Sequence, residues 1–155
     1  RRQRQMCIRD RSAGAITKVI STETGEIEGK KGAKVAVDAK TADASADEFD
    51  ALILPGGTIN ADTIRTDADA VALVKAFKDA GKPIGVICHG GWILADADLL
   101  KGVKLTSVAN VKTDLANAGA NWVDEEVVVD SGFISSRTPD DLPAFNATLV
   151  EEFAK

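Results

Sequence analysis

An α/β domain with a mostly parallel sheet and helices on both faces is what this sequence predicts. Two short apolar runs, residues 50–54 (DALIL) and 83–87 (PIGVI), each close in a glycine-bearing turn, as buried strands do. Strand-patterned and helix-patterned segments alternate along the chain. At 155 residues, 45% hydrophobic and 28% charged, the chain suits one compact globular domain.

The elements follow in order. Residues 1–12 begin RRQRQMCIRDR and show no apolar periodicity. They read as a disordered basic leader or a non-native segment, and the domain is expected to span residues 13–155. Residues 15–21 (AITKVIS) alternate like a strand. Thr24-Gly25-Glu26 reads as a turn, and residues 33–37 alternate again, with Val35 and Val37 on one face. Residues 41–48 are small and polar, a loop or short helix. The DALIL strand then runs into Pro55-Gly56-Gly57.

Residues 66–80 form a helix with Asp67 and Asp69 in its first turn, where carboxylates suit the dipole. Val71, Leu73, Val74 and Phe77 make its apolar stripe. Gly81 and Pro83 stop it before the PIGVI strand. A helix over 90–100, a strand over 104–107 and a helix over 111–118 come next. Strands 126–129 and 133–136 are joined by a turn at Asp130-Ser131-Gly132. Thr138 as N-cap, Pro139 at the first position and Asp141 in a capping box open the last helix. Leu142, Phe145, Leu149 and Phe153 give it a core face.

Charge narrows the function classes. Net charge is -5, yet the first eleven residues hold five arginines against one aspartate, so the body is near -9. An acidic body speaks against nucleic acid as a partner. No apolar run reaches the length of a membrane helix, and no secretory pattern opens the chain, so a cytoplasmic location is expected. The cysteines are Cys7 and Cys88, and the sole histidine is His89. They are expected to be free thiols, and the ligand set for structural zinc is poor. The runs Asp124-Glu125-Glu126 and Asp140-Asp141 read as solvated caps rather than a metal site. Neither GxGxxG nor a P-loop is present.

The strongest constellation is Gly85-Val86-Ile87-Cys88-His89-Gly90-Gly91. An apolar strand ends at a cysteine, and two glycines follow His89. This is the layout of a nucleophile elbow with cysteine in place of serine. The sharp turn demands small neighbours. The helix that follows aims its N-terminus at the sulfur, where the dipole suits an anion and main-chain N–H groups suit an oxyanion. A buried cysteine also serves as plain core filler, so that reading stands beside the catalytic one. His89 is a candidate general base or imidazolium partner, or merely a cap. Leu54-Pro55-Gly56-Gly57 also follows a buried strand, so at the carboxyl edge of an open sheet it can stand beside Cys88. Its glycine amides suit an oxyanion; a plain tight turn is the other reading.

The segments DALILPGG, GKPIGVICHGGWILADADLLKG, KTDLANAGANWVDEEVVVD and SSRTPDDLPAF resemble the PfpI-type intracellular proteases and deglycases, from about residue 13 to the C-terminus. ICHG separates this branch from relatives lacking the histidine. The resemblance implies a flavodoxin-like fold of the class I glutamine amidotransferase-like kind. It implies Cys88 as nucleophile, His89 as its partner, and an oxyanion or substrate cradle around Gly56, Gly57 and Gly90 with the His89 amide. It implies an acid from a neighbouring subunit that orients the histidine, for which Asp62 is the candidate, and hence a homo-oligomer, a dimer or hexamer-like ring. Substrates would be peptides, glycated amines or small aldehydes, with no cofactor and a stress-protective role. The family's opening strand and helix, with a glutamate that contacts the thiol, have no match here. The chain therefore reads as N-terminally truncated, with an apolar sheet edge laid bare. A redox-sensing protein and a fragment without turnover remain the other readings.

Overall fold

A computed structural model describes residues 12–28 and 32–155; Cys7 and the rest of the arginine-rich segment, residues 1–11, lie outside it. The chain is α/β. Its strands are β1 (Ile20–Ser21), β2 (Gly25–Glu28), β3 (Lys34–Val37), β4 (Ala39–Lys40), β5 (Leu52–Leu54), β6 (Ile84–Ile87), β7 (Lys104–Leu105), β8 (Asn121–Trp122), β9 (Val127–Asp130) and β10 (Phe133–Ser136). Its α-helices are α1 (Thr58–Ile64), α2 (Ala68–Asp79), α3 (Trp92–Asp96), α4 (Lys112–Asn117) and α5 (Leu142–Phe153).

The main sheet has the order β5-β6-β10-β9. β5, β6 and β10 run parallel, and β9 returns antiparallel to β10. The central strand β6 is buried at all four positions, as a strand covered on both faces must be. One face packs Phe77, Ile84, Leu94, Leu105, Leu115 and Phe133. The other packs Ile87, Ile134, Leu142, Phe145 and Leu149 with Cys88. Gly85 explains how close α5 comes: a Cβ there would lie 2.5 Å from Leu149 Cδ2. The hairpin at Ser131-Gly132 has φ of 53° and 80°, the left-handed pair that a two-residue turn requires.

β5 pairs with β6 on one side. Its other side faces a cavity of about 760 Å³, bounded also by residues 13–21, by Leu73 and Phe77 of α2, and by Val150 and Phe153 of α5. The cavity thus opens to both faces of the sheet.

Several expectations are corrected. Residues 15–21 give a strand only at Ile20–Ser21. Gly25 and Glu26 do not turn but enter β2, which forms an antiparallel ribbon with β3. The helix over 90–100 is shorter: a 3₁₀ turn at Cys88–Gly91 leads into α3, and Asp98 at φ 56° ends the helical path. Thr138 makes no side-chain capping bond, and Pro139–Asp141 is a 3₁₀ turn ahead of α5. Asp141 is not a solvated cap; it is buried against Arg137.

Candidate active site

The sheet presents the site at the carboxyl ends of β5, β6 and β10, where open α/β sheets bind ligands. β6 delivers Cys88 at its last turn. Cys88 has φ 64°, a left-handed backbone that a side-chain-bearing residue adopts at a cost of about 1–2 kcal/mol. The surrounding structure holds it there: Ile87 is fully buried and pairs with Ser136 of β10. Strain of this kind is the mark of a nucleophile elbow.

His89 follows on the same turn. Its Nδ1 lies 3.2 Å from Cys88 Sγ, close enough for a proton to pass between them. Adjacent side chains often diverge, but the elbow turns these two together. Cys88 is 6% exposed, more covered than a solvent-open thiol, while His89 is half-buried.

The Pro55-Gly56-Gly57 turn packs directly on the elbow. A Cβ at Gly56 would fall inside contact distance of Ile87 O and 3.0 Å from Cys88 Cβ. A Cβ at Gly90 would meet Leu54 O at 2.8 Å. The two turns are therefore in main-chain contact, and only glycine fits at either point. Gly56 also has φ 75° and Gly57 φ 88°. Asn60 Nδ2 donates to Gly56 O at 3.1 Å and holds the turn against α1.

Of the residues singled out from sequence, Gly56, Cys88, His89 and Gly90 are thus brought together, with Gly57 next in the chain. Asp62 stands exposed on α1.

Two features were not anticipated. The first lies beside the site, because Arg137 follows β10 as Cys88 follows β6, and these strands are in register. Arg137 donates from Nε and Nη2 to the two Asp141 oxygens, at 2.9 and 3.0 Å, and from Nη1 to Asp124 at 2.8 Å. Its backbone N–H also donates to Asp141 Oδ2. Those bonds to Arg137 hold the Asp141 carboxyl below its ordinary value, against the opposing effect of its burial. The mixed spacing SSRTPDD was the available signal, but a run of acids reads as solvated until its arginine is placed. A depressed carboxyl stabilises the fold above the unfolded-state value of about 4 and loses that contribution as pH falls through the folded value. Asp141→Asn should therefore lower stability at neutral pH by about 1–3 kcal/mol. The difference between variant and parent should shrink below about pH 4; urea melts across pH would show a constant gap if the pairing contributed nothing.

The second unanticipated feature is Trp92, three residues after His89. Its ring meets the imidazole edge-to-face with centroids 5.2 Å apart. An (i, i+3) spacing on a helical start was the signal in the sequence.

Among the described residues no group of three His, Cys, Asp or Glu side chains is placed to hold a metal ion. No described helix is long and apolar enough to cross a membrane.

The geometry can be set beside known proteins. A relative from Bacillus subtilis, "Putative cysteine protease YraA", is 47% identical over 135 residues, covering 86% of this chain and 79% of that protein. Deglycase TK1284 from Thermococcus kodakarensis is 46% identical over 137 residues, covering 88% and 80%. Among solved structures, a ThiJ/PfpI domain protein from Brachyspira murdochii superposes with TM-score 0.91 at 29% identity, over 97% of this chain and 86% of that one. A two-domain protein from Anabaena variabilis, with DJ-1/ThiJ/PfpI-like and ferritin-like domains, gives TM-score 0.93 at 33% identity; the match covers 96% of this chain but 43% of that one. The DJ-1/PfpI family profile matches residues 7–152, opening inside the segment read above as a leader. With the strand, the strained cysteine and the glycine turns all lying within that match, this chain belongs to the DJ-1/PfpI family.

Proposed function

We propose that the chain is a cysteine-dependent hydrolase or deglycase, in which Cys88 attacks the carbonyl carbon of a peptide, a glycated amine or a small aldehyde such as methylglyoxal. The observation that carries this reading is the 3.2 Å approach of His89 Nδ1 to a sulfur held on a left-handed elbow. The names of the relatives, a cysteine protease and a deglycase, point to the same chemistry.

The steps follow from those atoms. The thiol proton passes to His89 as the C–S bond forms, and the carbonyl π pair moves onto oxygen. The developing oxyanion sits against main-chain N–H groups of Gly57, His89 and Gly90 at the two turns. With an aldehyde, the oxygen takes the proton back and a hemithioacetal results; in the methylglyoxal adduct a proton then moves from C1 to C2 through an enediol, and water hydrolyses the resulting 2-hydroxyacyl thioester to free the thiol. With a peptide, the C–N bond breaks, His89 returns its proton to the amine, and water then hydrolyses the thioester.

Asp62 is assigned to the His89 of a neighbouring subunit. Ile59, one turn earlier on α1, is 81% exposed, so a subunit contact over this face would bury it. A homo-oligomer, a cytoplasmic setting and a stress-protective role belong to the same reading.

The test is turnover. The chain should consume methylglyoxal or cleave a fluorogenic peptide, and His89→Ala should lower kcat by about 10²-fold with little change in KM. A protein that consumes neither substrate would overturn the reading, and an unchanged kcat in His89→Ala would reduce the histidine to a cap.

A further inference from the structure

Trp92 belongs to none of the roles assigned above, yet three elements converge on it. Its Nε1–H donates to Asp114 Oδ2 of α4 at 2.8 Å. The Arg65 guanidinium, at the end of α1, lies 5.1 Å from the centre of its ring. Arg65 is itself tied to Asp96 of α3 by a 2.6 Å ion pair. The indole also meets His89, edge-to-face at 5.2 Å and 70°.

An imidazole χ2 is soft and roughly two-fold, so a histidine beside a cysteine does not by itself keep Nδ1 on the sulfur. A wall against the ring removes that freedom. An aromatic wall supplies a directional contact, with ring edge against ring face. The wall must itself be fixed, and a half-buried tryptophan on the first turn of a five-residue helix is fixed by what it bonds.

We propose that Trp92 is a positioning residue: locked by Asp114 and covered by Arg65, it sets the His89 ring so that Nδ1 faces Cys88. This rests on the reading that Cys88 and His89 act as a couple. Trp92 touches no reacting atom; it acts through the histidine.

Because His89 is the sole histidine, its ring-proton resonances are unambiguous in a proton NMR spectrum. Trp92→Leu removes the indole ring current and should move those resonances. It should also slow alkylation of Cys88 by iodoacetamide, followed by peptide-resolved mass spectrometry, by about three- to ten-fold. Trp92→Phe keeps an aromatic wall but gives up the bond to Asp114, so it should fall between the parent and Trp92→Leu, near Asp114→Ala. Asp114 is exposed, so Asp114→Ala should fold even where Trp92→Leu does not. It should give an intermediate loss, and Asp114→Asn, which retains an acceptor, should restore the parent rate.

Unchanged resonances and alkylation in Trp92→Leu, or equal losses in Trp92→Leu and Trp92→Phe, would overturn the proposal. So would parent behaviour in Asp114→Ala. None of these readouts needs a substrate. A parent without turnover whose Cys88 alkylation still slows in Trp92→Leu would sink the enzymatic reading and leave the positioning intact. A parent with turnover but indifferent to Trp92 would do the reverse.

Discussion

Cys88→Ala should lower methylglyoxal consumption by at least about 10³-fold, because the proposed covalent bond is made by its sulfur. Loss of the parent rate by tenfold or less would show that another residue, or water, attacks the carbonyl. The same position makes a second measurement informative. Cys88 has φ 64°, where any Cβ is strained. Cys88→Gly should be as inactive as Cys88→Ala, yet more stable than it by about 1 kcal/mol, since glycine takes this backbone without that cost. For 155 residues that is roughly 2–4 °C in Tm. An alanine variant melting above the glycine one would mean the elbow stores no strain.

The second large effect is expected at Gly56. In Gly56→Ala the new methyl must displace Ile87 O or the turn itself, and it also inherits φ 75°. Ile87 cannot yield easily, being fully buried and paired to Ser136. A cost of about 3 kcal/mol follows from strain plus clash, near 10 °C in Tm, with activity lost beyond what stability explains. Gly81→Ala is the comparison: it too has positive φ, 69°, but a Cβ there meets nothing within 4 Å. It should cost about 1 kcal/mol and leave activity alone. Equal melting temperatures for the two variants would show that the Pro-Gly-Gly turn and the elbow do not interlock.

What the sequence disclosed, and what it withheld, divides along physical lines. The elbow was legible because strand burial, a cysteine and paired glycines are all local signals: PIGVI can only be a covered strand, and CHGG can only turn. The hairpin at Ser131-Gly132 was legible for the same reason. α1 was missed because TINADTI is short, rich in β-branched residues and capped by a glycine without a side chain to announce it. The first half of β2, Gly25 and Glu26, was read as part of a turn because the strand is largely exposed and carries no alternating apolar pattern. The burial of Asp141 was invisible, since its partner Arg137, four residues earlier, is itself held by Asp124 from another part of the chain. The wall that Trp92 makes against His89 depends on α1 and α4 arriving from elsewhere in the chain. Local chemistry could be read from letters; partners supplied by tertiary approach could not.

The sulfur and the imidazole nitrogen sit on consecutive residues, so no long loop has to close before they meet. The oxyanion cradle differs, because it needs a glycine turn thirty-odd positions upstream to stay seated on the elbow. Opening confined to that turn should therefore stop any turnover while the thiol, the imidazole and its wall stay together, so that labelling and catalysis decay at different temperatures.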